Sequence, residues 1–123
     1  MCAAVMPLHV TTVPGPPFTT LEIAGDASME GFAMLAAQAG EQSRQRRDRR
    51  LLVNLTAVAG GLAFTEQFRL GQIAAAHFAH LERLASVVPE DKMTRTSEKV
   101  ALSMGVQLRV FTSAVQARDW LSS

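Results

Sequence analysis

The sequence is poor in the features that mark several common classes of protein. It has one cysteine, Cys2, among 123 residues, so it contains neither a disulfide pair nor the CxxC spacing of a redox or zinc site. No stretch approaches the ~20 apolar residues of a membrane span, and the N-terminus lacks the basic segment of a secretory signal. These absences predict a cytoplasmic protein that is neither exported nor membrane-spanning.

An excess of charge of one sign is also lacking. The net charge is +1, from 12 basic and 11 acidic residues, which argues against a nucleic-acid partner. Five arginines are nevertheless concentrated between Arg44 and Arg50. Cations favour the C-terminal end of a helix, so a solvated helix end is one interpretation of this run and a phosphate-binding patch is the other. No aromatic residue is interleaved with the arginines, as nucleic-acid binding would favour.

What remains is the composition of an ordinary globular chain. Hydrophobic residues make up 48% of the sequence and charged residues 19%, and a chain of this length can bury roughly two thirds of its unfolded surface. We therefore expect a single domain over residues 1–123, with residues 1–8 frayed.

Turn residues and apolar periodicity predict the element order ββαβαβαβα. A hairpin is expected from HVTTV and FTTLEIAG around the turn VPGPP, followed by a helix with Asp26 or Ser28 as its cap. The run LLVNLTAV, residues 51–58, has the composition of a central strand that is covered on both faces. The strand RLASVVP, a helix ended by Gly105, the strand QLRVF and a final helix with a capping box at Ser113 follow.

The helix after the central strand is expected to begin near Thr65. Its predicted apolar side includes Phe68 and Phe78, while His80 is predicted to point outward. Single helices between strands imply parallel pairing, so the fold class is α/β with a mixed, mostly parallel sheet of about five strands. Ligands and partners of such sheets meet the loops beyond the C-terminal strand ends, here residues 56–64, 89–96 and 112–113.

Several phrases of the sequence resemble one family. The strand RRLLVNLTAV, the stretch FRLGQIAAAHFAHLERLASVVP and the closing LRVFTSAVQARDWL are similar to SpoIIAA-like proteins of the STAS superfamily. The resemblance covers residues 9–121. It implies the fold of the bacterial anti-sigma-factor antagonists, which is also similar to SEC14-type lipid-binding domains.

The resemblance also directs attention to the loop after the central strand. Antagonists of this family carry a serine in a D-S-S-G-like motif there, which a partner kinase phosphorylates. This chain departs from the motif, because a gapless comparison places Ala63 at the serine and only a two-residue shift brings Thr65 there. Thr65 is accordingly a candidate phosphorylation site, with an ordinary helix N-cap as the alternative.

Other residues near the loops are candidates for recognition or for anion contact. Gly60 and Gly61 permit either a turn or the approach of a ligand to the backbone, but no GK[ST] follows, which excludes a nucleotide P-loop. Phe64 and Phe68 flank the expected start of the helix. The residues Lys92, Arg95 and Thr112 are candidates to converge with Thr65 on a phosphate or carboxylate, and ordinary surface charges are the alternative.

Catalysis, metal binding and cofactors find no support in the sequence. His77 and His80 have a spacing that can ligate a metal, but no third ligand is suggested nearby. Cys2 lies at an expected frayed end, and no GxSxG motif is present. We therefore expect no catalytic residues, no metal and no cofactor.

Two functions remain. The first is a non-enzymatic STAS-like interaction or sensing module whose protein partner, a kinase or an anti-sigma-like protein, binds the loop after the central strand. The alternative is a carrier or sensor of a small apolar or anionic, lipid-like ligand bound between helices and sheet, with Phe64 and Phe68 at the pocket. Phe64 separates them, because it should line a cavity of at least ~300 Å³ in the second case. A homodimer is compatible with either function.

Overall fold

The computed structural model of the chain describes residues 6–15 and 17–123. Within these ranges the elements follow the predicted order, with one short 3-10 turn in addition. The strands are β1 (His9–Val13), β2 (Thr19–Asp26), β3 (Arg50–Ala59), β4 (Arg83–Val87) and β5 (Leu108–Phe111). The helices are α1 (Met29–Arg46), α2 (Phe64–Phe78), α3 (Thr96–Ser103) and α4 (Ala114–Ser122), and the 3-10 turn is Glu90–Lys92.

The five strands form one sheet in the order β1-β2-β3-β4-β5. β1 and β2 pair antiparallel, as the predicted hairpin requires. The other three pairs are parallel, because each is joined by a helical crossover. The predicted mixed sheet with β3 at its centre is therefore confirmed.

The N-terminal residues that are described join the sheet at β2. The Met6 N–H donates to the Asp26 carboxylate at 2.7 Å, and the Asp26 N–H donates to the Met6 carbonyl at 2.9 Å. Cys2, Pro16 of the predicted turn and the first five of the residues expected to fray lie outside the described residues. No helix in the described ranges is both long enough and apolar enough to cross a membrane.

The sheet has a different helix layer on each face. Successive strand residues point to opposite faces, so Leu84 packs toward α1, α2 and α3 while its neighbour Ala85 packs toward α4. The core on the three-helix side consists mainly of Leu21, Leu51, Leu84, Leu108, Ala39, Ala74, Ala75, Phe78 and Ala101. The core on the α4 side consists of Leu52, Ala85, Val87, Phe111, Ala117 and Leu121.

Two glycines let α2 approach its neighbours closely. A Cβ atom on Gly40 of α1 would lie 2.6 Å from the His77 carbonyl oxygen of α2. One on Gly71 of α2 would lie 2.8 Å from the Ser97 carbonyl oxygen of α3. Real Cβ atoms do not make contacts this short, so glycine at both positions fixes α2 between α1 and α3.

Arginines complete the end of α4. Arg50 donates to the carbonyls of Leu121 and Ser123, and Arg83 donates to those of Trp120 and Ser123. These carbonyls belong to the last turn of a helix, where no intrahelical N–H remains to bind them. Two strands of the sheet thus satisfy the C-terminal end of the helix that covers them.

Candidate functional site

A β-bulge in β3 determines where the loop after it emerges. β3 pairs with β4 only from Arg50 to Asn54 but continues beside β2 as far as Ala59. Between Glu22 and Ala24 of β2, β3 advances by one extra residue. This bulge turns Val58 toward the α1 side, because one inserted residue reverses the alternation of side chains.

Asn54 of the predicted central strand stabilises this bulge. The Asn54 side-chain oxygen accepts from the Thr56 N–H at 3.1 Å and from the Thr56 hydroxyl at 2.7 Å. The Asn54 amide group donates to Glu22 on β2 at 2.8 Å. Asn54 is therefore explained by the local backbone geometry next to the loop.

The loop after β3 contains one glycine that its conformation requires. Gly60 has φ of 78°, in the left-handed region that favours glycine, whereas Gly61 has an ordinary φ and open space at its Cβ position. Both residues are exposed. The double glycine thus forms a protruding turn at the end of the central strand.

The structure changes the interpretation of Thr65. α2 begins at Phe64 with Ala63 as its N-cap, so the alternative that Thr65 is the cap is wrong. The Ala63 methyl cannot accept a hydrogen bond, and only the Glu66 carboxylate contributes to the cap by accepting from the Ala63 N–H at 2.9 Å. Thr65 is the second residue of the helix and is exposed to solvent.

Two phenylalanines project from the first two turns of α2. Phe64 is 68% exposed and Phe68 is 46% exposed. Phe68 is therefore exposed to solvent, contrary to its predicted position on the apolar side of the helix. Residues four apart lie on the same side of a helix, so the two rings form a small aromatic surface beside the glycine turn.

The predicted anion contacts do not all converge. The Lys92 ammonium donates to the Val58 carbonyl at 3.0 Å, which ties the 3-10 turn to the end of β3. Arg95 forms an ion pair with Glu98 at 3.0 Å, and that carboxylate also accepts from the Val110 N–H. Of Lys92, Arg95 and Thr112, only Lys92 lines the cavity described next.

A cavity of about 410 Å³ lies between the sheet and the helices α1 and α2. Its walls include the α1 side of the strands, the inner faces of both helices, the glycine turn and the loop that contains Lys92. Representative lining residues are Leu21, Ile23, Phe32, Ala36, Ala39, Val53, Leu55, Leu62, Leu70, Ala74, Phe78, Lys92 and Ser97.

Neither phenylalanine of the predicted pocket lines this cavity. The rings of Phe64 and Phe68 are on the outside of α2, and Leu62, Gln67 and Leu70 form the nearby wall instead. The sequence signal for a cavity is the alanine content of the inner helix faces, because Ala36, Ala39 and Ala74 leave volume opposite the strands. The apolar periodicity alone does not distinguish small from large side chains.

His80 is partly buried and has a structural role that differs from the prediction. α2 ends at Phe78, so His80 lies beyond the helix, and its Nε2 is 2.7 Å from the Ser43 hydroxyl oxygen. Arg44 Nε donates to His80 Nδ1 at 3.3 Å. Nε2 therefore carries the ring hydrogen and donates to Ser43, whose own hydroxyl donates to the Gly40 carbonyl at 2.8 Å.

Burial and two neighbouring charges shift the pKa of this histidine. Burial lowers the pKa of His80 most, and the positive charge of Arg44 lowers it further. The Asp48 carboxylate acts in the opposite direction. The neutral imidazole that the hydrogen bonds require is thus favoured near neutral pH.

Much of the arginine run is engaged within the protein. Arg46 pairs with Asp48 at 2.9 Å, and Arg49 and Arg50 both reach Glu82 at 3.4 Å. Arg47 has φ of 60° and ends α1. These contacts agree with the interpretation of the run as a helix end.

In the part of the chain that the structure describes, no three or more His, Cys, Asp or Glu side chains gather into a group that could hold a metal ion.

A family model described as SpoIIAA-like matches residues 18–122. The chain belongs to the SpoIIAA-like family. The predicted resemblance is thereby confirmed, and the α/β sheet with its single antiparallel pair is the STAS fold. A comparison with curated proteins found no match.

Two solved structures share the SpoIIAA-like fold. An anti-sigma factor antagonist from Mycobacterium paratuberculosis is 15% identical, with a TM-score of 0.66 and coverage of 94% of this chain and 95% of that one. An uncharacterized DUF3478-family protein with a SpoIIAA-like fold from Shewanella loihica PV-4 is 14% identical, with a TM-score of 0.60 and coverage of 98% of both chains. At these identities the likeness establishes the fold alone.

Proposed function

We propose that this SpoIIAA-like chain is a non-enzymatic regulatory module that binds a protein partner through a docking surface. We define the docking surface as the glycine turn and the start of α2, namely Gly60, Gly61, Phe64, Thr65 and Phe68. The observation that carries the proposal is the pair of exposed rings, Phe64 at 68% and Phe68 at 46% exposure.

Single exposed apolar side chains are common on protein surfaces. Aromatic side chains that lie together are less common there and often contribute much of the binding free energy of an interface. Phe64 and Phe68 are one helical turn apart, next to a turn that protrudes from the sheet. Aromatic rings supply large contact area with few rotatable bonds. This combination suits a protein partner better than bulk solvent.

The family supports a regulatory partner. One structural neighbour is titled an anti-sigma factor antagonist, and by analogy we propose an anti-sigma-like protein or a kinase as the partner of this chain. Thr65 is exposed at the second position of α2, where the free N–H groups of a helix start favour an added phosphate. Phosphorylation of Thr65 would place negative charge within the docking surface and change the affinity of the partner.

We assign no catalytic step to the chain. The pair that most resembles a nucleophile and its base is Ser43 with His80, at 2.7 Å. Ser43 is 0% exposed and its hydroxyl already donates to the Gly40 carbonyl, so no substrate can reach it. We further propose a cytoplasmic location, on the basis of the single cysteine, and keep self-association as a prediction.

The docking surface is tested by capture with matched variants. The wild-type chain is used as bait in a native lysate, and the captured partner is identified, purified and titrated against Phe64→Ala/Phe68→Ala. We expect the double variant to lose affinity by at least about tenfold, since interface aromatics commonly contribute ~2 kcal/mol or more. Val115→Ala on α4, whose side chain is 65% exposed, is the matched control. Equal affinity of all three chains for the partner would refute the docking surface.

A second function is favoured by a separate observation, the cavity of about 410 Å³. It exceeds the ~300 Å³ at which small-molecule sites begin, although Phe64 and Phe68 do not line it. A carrier or sensor of an apolar or anionic ligand is therefore our alternative. Gly60 and Gly61 belong to both the docking surface and the cavity wall, so the two functions share a structural element.

A further inference from the structure

We propose that the cavity binds a single-chain amphiphile with a carboxylate head, with the apolar chain between the sheet and helices α1 and α2 and the head group at Lys92. This inference rests on the ligand-binding alternative above and specifies the chemistry of its ligand.

The size of the cavity is the first argument. The cavity is partly open to solvent and has a volume of about 410 Å³, within the range of small-molecule sites. It arises because helix positions that face the strands are occupied by the alanines 36, 39 and 74. If the cavity holds no ligand, the side chains that line it lack partner atoms on one side and lose dispersion contacts. An occupant restores them.

The chemistry of the walls is the second argument. Most of the lining side chains are aliphatic or aromatic, including Leu21, Ile23, Val53, Leu55, Phe78 and Leu84. Polar side chains such as Gln38, Gln42, Thr94 and Ser97 are contributed by helix α1, by the start of α3 and by the loop before it. Apolar cavities stay dry and take up apolar molecules. The wall therefore fits an alkyl chain that ends in a polar group.

Lys92 identifies the head group. Its ammonium uses one donor on the Val58 carbonyl at 3.0 Å, and an ammonium has three donors. Within residues 6–15 and 17–123, no carboxylate is close enough to form an ion pair with Lys92. Asp91, the only acidic residue in the wall, is exposed, so solvent screens its charge. A ligand carboxylate can accept from the remaining donors of Lys92.

A carboxylate fits this site better than a phosphate. Phosphate recognition commonly uses the bidentate donors of arginine, and Arg95, the arginine of the same loop, already binds both oxygens of Glu98 at 3.1 and 3.0 Å. Lys92 alone offers a single positive charge. That charge matches a monoanionic head group.

Titration calorimetry with three probes of the same chain length separates the head group from the chain. Decanoate, decan-1-ol and decylammonium are each titrated into the wild-type protein below their aggregation concentrations. We expect decanoate to bind about tenfold more tightly than decanol, because a charge-assisted hydrogen bond replaces a neutral one, and decylammonium to bind most weakly. Equal binding of decanoate and decanol would overturn the carboxylate assignment but leave the cavity as a ligand site. If no probe binds, the inference and the ligand-binding function both fail.

Variants locate the head group. Lys92→Gln removes the charge but keeps a side-chain donor for the Val58 carbonyl, so the fold is retained. We expect it to weaken decanoate binding by about tenfold and to leave decanol binding unchanged. Lys99→Gln, at the exposed lysine of α3, is the control and should change neither. An unchanged decanoate affinity in Lys92→Gln would refute the role of Lys92.

A second pair of variants locates the chain. Ala36→Leu fills the cavity from α1, whereas Ala37→Leu adds the same group on the exposed side of the same helix. We expect Ala36→Leu to abolish binding of both decanoate and decanol, and Ala37→Leu to bind like the wild type. The melting temperature of each variant verifies folding. Wild-type binding by a folded Ala36→Leu variant would show that the chain binds elsewhere.

Discussion

The two faces of the sheet are built in different ways. On the α4 face, Leu52, Ala117 and Leu121 are at most 1% exposed. The Phe111 and Trp120 rings pack there with centroids 5.8 Å apart. On the α1/α2 face, the same strands border a cavity of about 410 Å³. Side chains are fully buried on both faces, including Leu51 and Ala101 at 0% exposure on the α1/α2 side, but the α1/α2 face also borders the cavity.

The contacts that hold the helices on the two faces also differ in whether they depend on pH. α4 is held by Arg50 and Arg83, whose guanidinium groups remain charged at any ordinary pH. The α1 and α2 ends are joined instead through His80 and Ser43, a contact that requires a neutral imidazole. We infer that the α4 face mainly stabilises the fold. The α1/α2 face contains the cavity and the pH-sensitive contact of His80 with Ser43, which are available for ligand binding and regulation.

The largest effect on stability is expected from substitutions of two leucines of β3, one on each face of the sheet. Leu52 is 1% exposed on the α4 face, whereas Leu55 is partly buried and lines the cavity. We expect Leu52→Ala to lower the free energy of unfolding by about 3–5 kcal/mol, because the packed surroundings cannot collapse around the lost methyl groups. Leu55→Ala should cost about 2 kcal/mol or less, because its side chain already borders empty volume. Urea unfolding monitored by circular dichroism measures both.

Equal losses in the two variants would contradict the contrast between the faces. That result would indicate that the α1/α2 face closes around Leu55 in solution, and it would also weaken the case for a ligand in the cavity.

The same contrast explains what the sequence could predict. The element order, the central position of β3 and the hairpin follow from short-range patterns, such as the Ser28 cap, which accepts from the Gly31 N–H at 3.0 Å. The final helix likewise begins at Ser113, which accepts from the Gln116 N–H at 3.3 Å. Local chemistry decides such features.

Other features depend on residues that are distant in the sequence. The Ser43 contact of His80 spans 37 positions and requires the close crossing at Gly40. The cavity depends on how three alanines face the strands, and the exposure of Phe68 depends on how α2 rotates between α1 and α3. No periodicity in a single helix determines these relations. The pattern predicts a helix start near Thr65, whereas α2 begins at Phe64 and Glu66 accepts from the N–H of the cap residue.

An intermediate effect is expected from the arginine that holds α4. Arg83→Met removes the donors to Trp120 and Ser123 and the guanidinium that lies 5.2 Å from the Trp120 ring. We expect a loss of about 1–2 kcal/mol in the free energy of unfolding, because the carbonyls of Trp120 and Ser123 each lose a charged donor, while Arg50 still donates to Ser123. Arg109→Met is the control, since Arg109 is exposed and its guanidinium lies 5.4 Å from the Phe111 ring, and we expect this change to cost about 0.5 kcal/mol. A larger loss from Arg109→Met would show that ring contact outweighs the helix end.

The smallest effect is a pH dependence confined to the α1/α2 face. Because the pKa of His80 lies below its ordinary value of 6.5 in the folded chain, the unfolded chain binds the proton first as the pH falls. Stability from neutral His80 is therefore complete above that value and is lost as the pH falls through it toward the folded pKa. We expect urea midpoints to decrease from pH 7 to pH 5 in the wild type, by less than the effect of Arg83→Met.

His80→Gln should flatten this part of the profile, because glutamine does not titrate. Amide exchange of the wild type at pH 5 should increase at the end of α1, around Ser43, while the native emission of Trp120 on the opposite face stays unchanged. His77→Gln is the matched control and should keep the wild-type profile, since His77 donates no side-chain hydrogen bond in the described structure. If acid shifted the Trp120 emission before it changed α1 exchange, the pH-sensitive contact would lie on the α4 face, and the division between the two faces would be reversed.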